Sequence, residues 1–126
     1  MNFPDNLKYT KDHEWIRVEG DAGVVGITDY AQGELGDIVF VELPGKGKKV
    51  RQGESFGTIE AVKAVSDLFA PVSGEVVDVN AELEKTAELI NKEPYGSGWI
   101  MKIKITSKEE LGGLLSAQQY RQLVGK

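Results

Sequence analysis

The chain contains no cysteine, which excludes disulfides and thiolate metal sites. A single histidine, His13, excludes any metal cage built from several imidazoles. Positive charge is scarce: 15 basic against 20 acidic residues give a net charge of −5. That argues against an electrostatic grip on nucleic acid or on an anionic membrane. No run approaches the ~18 apolar residues of a membrane-spanning helix. The opening stretch MNFPDNLKYTKDHEW has no apolar segment and two early acidic residues. It therefore reads as neither a secretory signal nor a transit peptide. What remains is a single globular domain over residues 1–126. Its length suffices to bury about two-thirds of the unfolded surface without covalent staples.

Fifteen glycines are spread through the chain and punctuate short apolar runs. That pattern predicts a mainly β fold with many turns. Strands are expected at 14–19 (EWIRVE), 23–28 (GVVGIT), 38–43 (IVFVEL), 75–79 (EVVDV) and 99–106. The run 38–43 is continuously apolar, as in a strand buried on both faces. Residues 56–68 read as one long extended stretch. In the last strand Trp99, Met101, Ile103 and Ile105 alternate with Lys102 and Lys104, the signature of a half-buried strand. Thr28 or Asp29 is placed to cap a short helical turn near 28–35. A C-terminal helix is expected near 107–124, with Ser107 and Glu110 as its capping box. Gly112 and Gly113 each cost such a helix about 1 kcal/mol against alanine. The segment 81–89 is helical by propensity but sits among strands. Residues 36–41 (GDIVFV) and 74–79 (GEVVDV) share one pattern: glycine, acid, aliphatic, valine, any residue, valine.

Catalytic constellations are not visible. Residues 45–49 (GKGKK) lack phosphate-loop spacing and read as a solvated basic turn. No serine lies in a G-x-S-x-G setting. Glu82 with Glu84, and Glu109 with Glu110, read as a solvated face and a helix start. Trp15 reads as a core anchor, Glu14 as exposed, and His13 as structural. The chain is not expected to be an enzyme.

The most informative segment is 59–80, IEAVKAVSDLFAPVSGEVVDVN. Lys63 is the sole cation between Arg51 and Lys85, and Val62, Ala64 and Val65 surround it. By pattern alone it is a snorkelling lysine that interrupts a long strand. The segment resembles the lipoyl-attachment region of the glycine cleavage H-protein family. Residues 7–15 (LKYTKDHEW), 26–45 (GITDYAQGELGDIVFVELPG) and 89–103 (LINKEPYGSGWIMKI) resemble the same family in the same order. Generic lipoyl domains lack the HEW and PYGxGW stretches, so the resemblance is specific and covers nearly the whole chain.

The resemblance implies a barrel-sandwich hybrid, the lipoyl/biotinyl-type hammerhead fold, with Lys63 at a hairpin tip. It implies lipoate attached to Lys63 within a motif of Glu60, Val62 and Ala64. Ala61 stands where the family often has serine. Attachment would remove one charge, leaving 14 basic against 20 acidic residues, a net −6. The implied role is a carrier of the aminomethyl group of glycine. It would receive that group from a pyridoxal-phosphate glycine decarboxylase (P protein) and deliver it to a tetrahydrofolate-dependent aminomethyltransferase (T protein). Dihydrolipoamide dehydrogenase (L protein) would reoxidise the dithiol, and a lipoate-attaching enzyme would load the lysine. Glu14 and Asp67 match the carboxylates on which the loaded arm would dock. A monomer in the bacterial cytosol is expected, or in the mitochondrial matrix for a mature organellar form. A relay handing lipoate to other lipoyl proteins is an additional role. Biotin carriers usually flank their lysine with methionines, and Val62 and Ala64 depart from that.

Overall fold

The computed structural model describes residues 1–125. In chain order its strands are β1 (Lys8–Tyr9), β2 (Glu14–Glu19), β3 (Ala22–Ile27), β4 (Ile38–Glu42), β5 (Lys49–Val50), β6 (Ser55–Ala61), β7 (Val65–Phe69), β8 (Gly74–Val79) and β9 (Met101–Ile105). The helices are α1 (Asp29–Leu35), α2 (Glu82–Lys85), α3 (Leu89–Lys92) and α4 (Ala117–Val124). One sheet runs β1-β2-β3-β9-β8-β5 and the other β4-β6-β7, with every pairing antiparallel. The mainly β architecture implied by the resemblance is therefore present.

Trp99 lies outside β9 and packs away from the main core, but the alternation read in the last strand does place Met101, Ile103 and Ile105 in it. There they join Ile16 and Val25 of the large sheet and Val41, Ile59 and Leu68 of the small one. The opposite face of the large sheet carries a second cluster. Phe3, Leu7, Tyr9, Trp15, Val24, Ala117 and Tyr120 pack there. This explains why β2 is apolar on both faces: Ile16 points into one cluster and Trp15 into the other. Trp15 faces Gly26 across the ladder, and a Cβ at Gly26 would meet its indole at 2.7 Å. The indole N–H donates to the Pro94 carbonyl at 3.0 Å, so Trp15 is the expected core anchor.

Other expectations need correction. The run 38–43 is not buried on both faces, for Val39 and Phe40 are 57% and 50% exposed. β4 is an edge strand, and its register with β6 shifts between Ile38 and Phe40. The equivalent shift in β8 against β9 falls between Val76 and Asp78. The repeated pattern thus marks a recurrent β-bulge, with Val39 and Val77 as its extra residues.

The C-terminal helix is real but shorter than 107–124. Residues Lys108–Gly113 form a 3-10 turn, Leu114 is extended, and α4 begins only at Ala117. The capping box is Ser116 with Gln119, while the Ser107 side chain makes no cap hydrogen bond. Gly112 and Gly113 are poor helix residues, and Leu115 instead bridges to Tyr9 at the sheet edge. Glu110 does lie in the first turn of a helix, the 3-10 one, but its side chain caps no α-helix. Its two carboxylate oxygens accept from the Ser73 backbone N–H at 2.6 Å and the Ser73 hydroxyl at 3.0 Å.

The long extended stretch at 56–68 is two strands. β6 and β7 form a hairpin that turns at Val62 and Lys63. His13 is the one non-glycine residue with positive φ among the described residues, so Val62 and Lys63 turn without left-handed backbone. That is why no glycine or asparagine marks the turn.

Candidate functional site

Lys63 lies at the exposed tip of the β6–β7 hairpin. Below it, Ala61 N–H donates to the Ala64 carbonyl at 2.7 Å, and Val62 N–H donates to the Asp37 carbonyl at 3.0 Å. The hairpin end is therefore hydrogen-bonded within itself and to the loop that precedes β4. Val62 and Val65 flank the tip at 76% and 68% exposure, and Glu60 is also exposed. Ala64 is half-buried. A primary amine on a four-carbon stem at a rigid, exposed turn suits covalent tethering of a mobile group.

The Lys63 stem crosses the end of α1. Thr28 caps that helix at its start, its hydroxyl accepting from Ala31 N–H at 3.1 Å. Gly36 ends it with φ 81° and ψ −155°, a region used almost only by glycine. Asn91 of α3 secures this corner. Its side-chain oxygen accepts from Ile38 N–H at 2.9 Å, and its NH2 donates to the Gly36 carbonyl and to Gln32, each at 2.9 Å.

Beside the tip lies a cleft of about 260 Å³. One wall is α1, through Tyr30, Ala31, Glu34 and Leu35; another is β7, through Ser66, Asp67 and Leu68. Asp12, His13 and Glu14 contribute at the start of β2, with Ile27 and Ile59 also lining it. Glu14 and Asp67 therefore border the same cavity. Lys63 lies at the C-terminal end of the α1 wall, and Ser66 and Asp67 lie about 10–13 Å further along the chain from it. Four carboxyl groups line the cleft, those of the exposed Asp12, Glu34 and Asp67 and of the buried Glu14. Such a lining favours a cationic occupant.

Glu14 differs from the sequence reading in one respect: it is 2% exposed, not solvent-facing. Glu14 shares the inward face of β2 with Ile16, and β7 covers it there. Its oxygens accept from the Thr10 hydroxyl at 2.8 Å and from Phe69 N–H at 3.3 Å. Burial outweighs these donors and pushes the carboxyl up to about 8. Asp67, by contrast, is exposed on β7. His13 Nδ1 and the Tyr120 hydroxyl are 2.8 Å apart, and the same hydroxyl lies 2.8 Å from Thr28 Oγ1. Burial holds the His13 imidazole below its usual range.

Sequence reasoning singled out Lys63, Glu60, Val62, Ala64, Glu14 and Asp67, and the fold gathers them at the hairpin tip and its adjoining cleft. It did not single out Asp12, Tyr30, Glu34 or Ser66 as cleft residues. Asp12 adjoins His13 and Glu14 in sequence, and Tyr30 and Glu34 share a helix face at i, i+4 spacing. Neither pattern by itself marks a cavity.

The family model described as "Glycine cleavage H-protein" matches residues 7–126. The glycine cleavage system H protein of Bacteroides fragilis is 58% identical over 124 residues, 98% of each chain. That of Staphylococcus carnosus is 53% identical over 126 residues, all of both chains. A crystal structure of a glycine cleavage system H protein from Mycobacterium marinum superposes with a TM-score of 0.91 at 42% identity. That match covers 98% of this chain and 100% of the other.

Proposed function

Because this chain belongs to the glycine cleavage H-protein family, which supports a lipoyl carrier role in the glycine cleavage system, we propose that Lys63 is the residue that carries lipoate. The observation behind this reading is the position of Lys63 at an exposed hairpin tip beside an acidic cleft. Lipoate, held through an amide on Lys63 Nζ, supplies a dithiolane that carries a one-carbon unit, the redox group this cysteine-free chain lacks.

The chain's own residues tether, present and shelter. Lys63 gives the amine. Glu60, Val62 and Ala64 present it to a lipoate-attaching enzyme. The buried Glu14 and the rim residue Asp67 hold the positive end of the cargo, and the apolar wall of Ile27, Leu35, Ile59 and Leu68 keeps water from it. Burial favours the protonated form of Glu14. Entry of a cation favours the carboxylate, so docking releases a proton from Glu14. In this reading the chain is a non-catalytic subunit that visits glycine decarboxylase, aminomethyltransferase and dihydrolipoamide dehydrogenase in turn. Its bacterial relatives support a place in the cytosol.

The test is intact mass with peptide mapping after incubation with lipoate and a lipoate-attaching enzyme. One lipoyl group on Lys63 is expected, with none on K63R. The modified protein should support glycine–bicarbonate exchange by the decarboxylase, and K63R should not. Modification elsewhere, or full exchange with K63R, overturns the proposal.

A further inference from the structure

Thr10 precedes β2 and does not line the acidic cleft. It faces a second hollow of about 460 Å³, whose wall Glu14 also forms. Three polar atoms converge on its hydroxyl oxygen. Asp12 N–H donates to it at 3.2 Å and Glu14 N–H at 3.1 Å. The third neighbour is Glu14 Oε1 at 2.8 Å. A threonine hydroxyl has two lone pairs and one proton. The two backbone donors fill both lone pairs, so the proton has one place to go, towards Glu14 Oε1. With Phe69 N–H on Oε2, each oxygen of the carboxyl receives one donor from the protein. An ionised carboxylate offers about four acceptor sites, so about two remain for whatever enters the cleft.

We propose that Thr10 is a positioning residue for the cation-binding carboxylate: its hydroxyl, locked as a donor by Asp12 and Glu14 N–H, aims Glu14 as an acceptor and favours its ionised form when a cationic group docks. The inference rests on the reading of Glu14 as a cargo-holding residue, but it concerns a different side chain and has its own readout. Thr10 acts through Glu14 and touches no cargo.

Other groups bias the same equilibrium. Asp12, His13, Tyr30, Glu34 and Asp67 share the acidic cleft with Glu14, and Tyr9 and Lys11 share the second hollow. Tyr120 also senses its charge. Substitution at Thr10 leaves every one of these in place, so a change in the Glu14 midpoint reports the hydroxyl.

The experiment follows the carbon-13 carboxyl signal of Glu14, assigned by its loss in E14Q, through a pH titration of the full chain without cofactor. T10V keeps the branched shape and removes the donor. It is expected to raise the Glu14 midpoint by about one pH unit, a tenfold change in the ionisation constant. T10S retains the hydroxyl and should restore the wild-type midpoint. A midpoint unchanged in T10V overturns the proposal, as does a T10S shift equal to that of T10V, which would signify packing alone. Should T10V not fold, T10A read against T10S makes the same comparison. A raised midpoint in T10V together with unaltered ammonia release from loaded E14A protein upholds the Thr10–Glu14 coupling and overturns the cargo-holding role of Glu14 instead.

Discussion

The Lys63 side chain lies across Gly36: a Cβ added to that glycine would stand 3.2 Å from Lys63 Cε and 3.8 Å from Nζ. The pair joins the hairpin tip to the end of α1, and α1 is one wall of the acidic cleft. A tether rooted at Lys63 therefore starts at the edge of the cavity.

Gly36→Ala should destabilise the fold by about 1–3 kcal/mol, because φ 81° with ψ −155° is strained for any residue with a side chain. The contact with Lys63 involves the far end of a flexible stem, which can swing aside. Lipoate attachment to folded G36A should thus proceed near the wild-type rate. Urea unfolding and a timed mass-spectrometric attachment assay separate the two effects. Unchanged stability would contradict the strain argument.

Asn91→Ala removes three hydrogen bonds at 2.9 Å that hold Gly36, Ile38 and Gln32 together. A loss of about 2–3 kcal/mol is expected. The tip should loosen with it, since Val62 hangs from Asp37 between two of those residues. Hydrogen exchange should quicken at Ile38 and Val62. Unaltered Val62 protection would show that the tip is held by its own hairpin bonds.

Glu14 makes stability pH-dependent with a definite sign. Its carboxyl is raised from 4.5 to about 8 on folding. Between those values the folded state binds more protons than the unfolded one, so this group lowers stability as pH rises, by up to about 1.4 kcal/mol per unit. His13 works in the opposite sense: held low by burial, it costs stability as pH falls below its unfolded value. The difference between wild type and Glu14→Gln isolates the first effect. E14Q should gain on wild type as pH rises from about 4.5 to about 8, and the difference should be constant above that. A difference independent of pH would mean that Glu14 titrates normally.

In the cofactor-loaded carrier, Glu14→Ala should speed ammonia release in the absence of the transferase by about tenfold or more, the worth of one hydrogen bond to a charged group. Asp67→Asn should do less, because Asp67 is exposed and screened by solvent. Equal effects of the two would argue that the cleft acts through net charge alone.

Tyr120→Phe removes the hydroxyl shared by His13 and the helix cap Thr28. It should cost about 1–2 kcal/mol and loosen the Thr28 hydroxyl, which accepts from the Ala31 N–H, so that this amide exchanges faster. Thermal unfolding with amide exchange at Ala31 tests this. Exchange at wild-type rate would show that α4 does not brace the cleft wall.

Periodicity and punctuation by themselves determined most of the strands, the Thr28-capped helix and the anchoring Trp15, because those depend on local alternation and caps. The internal repeat was legible as pattern, and the family motifs singled out Lys63, Glu14 and Asp67. Tertiary structure alone decided the rest. The turn at Lys63 uses ordinary backbone angles and so leaves no composition signal. Val39 and Phe40 look buried until the bulge at Val39 leaves both of them exposed. Ser107 and Glu110 fit a capping box, yet Glu110 bonds Ser73, 37 residues away, and the helix starts at a different serine. Glu14 reads as a surface acid until Thr10 and β7 pack around it and withdraw it from water. Burial depends on contacts between segments distant in sequence, and it is burial that raises the affinity of that carboxyl for a proton.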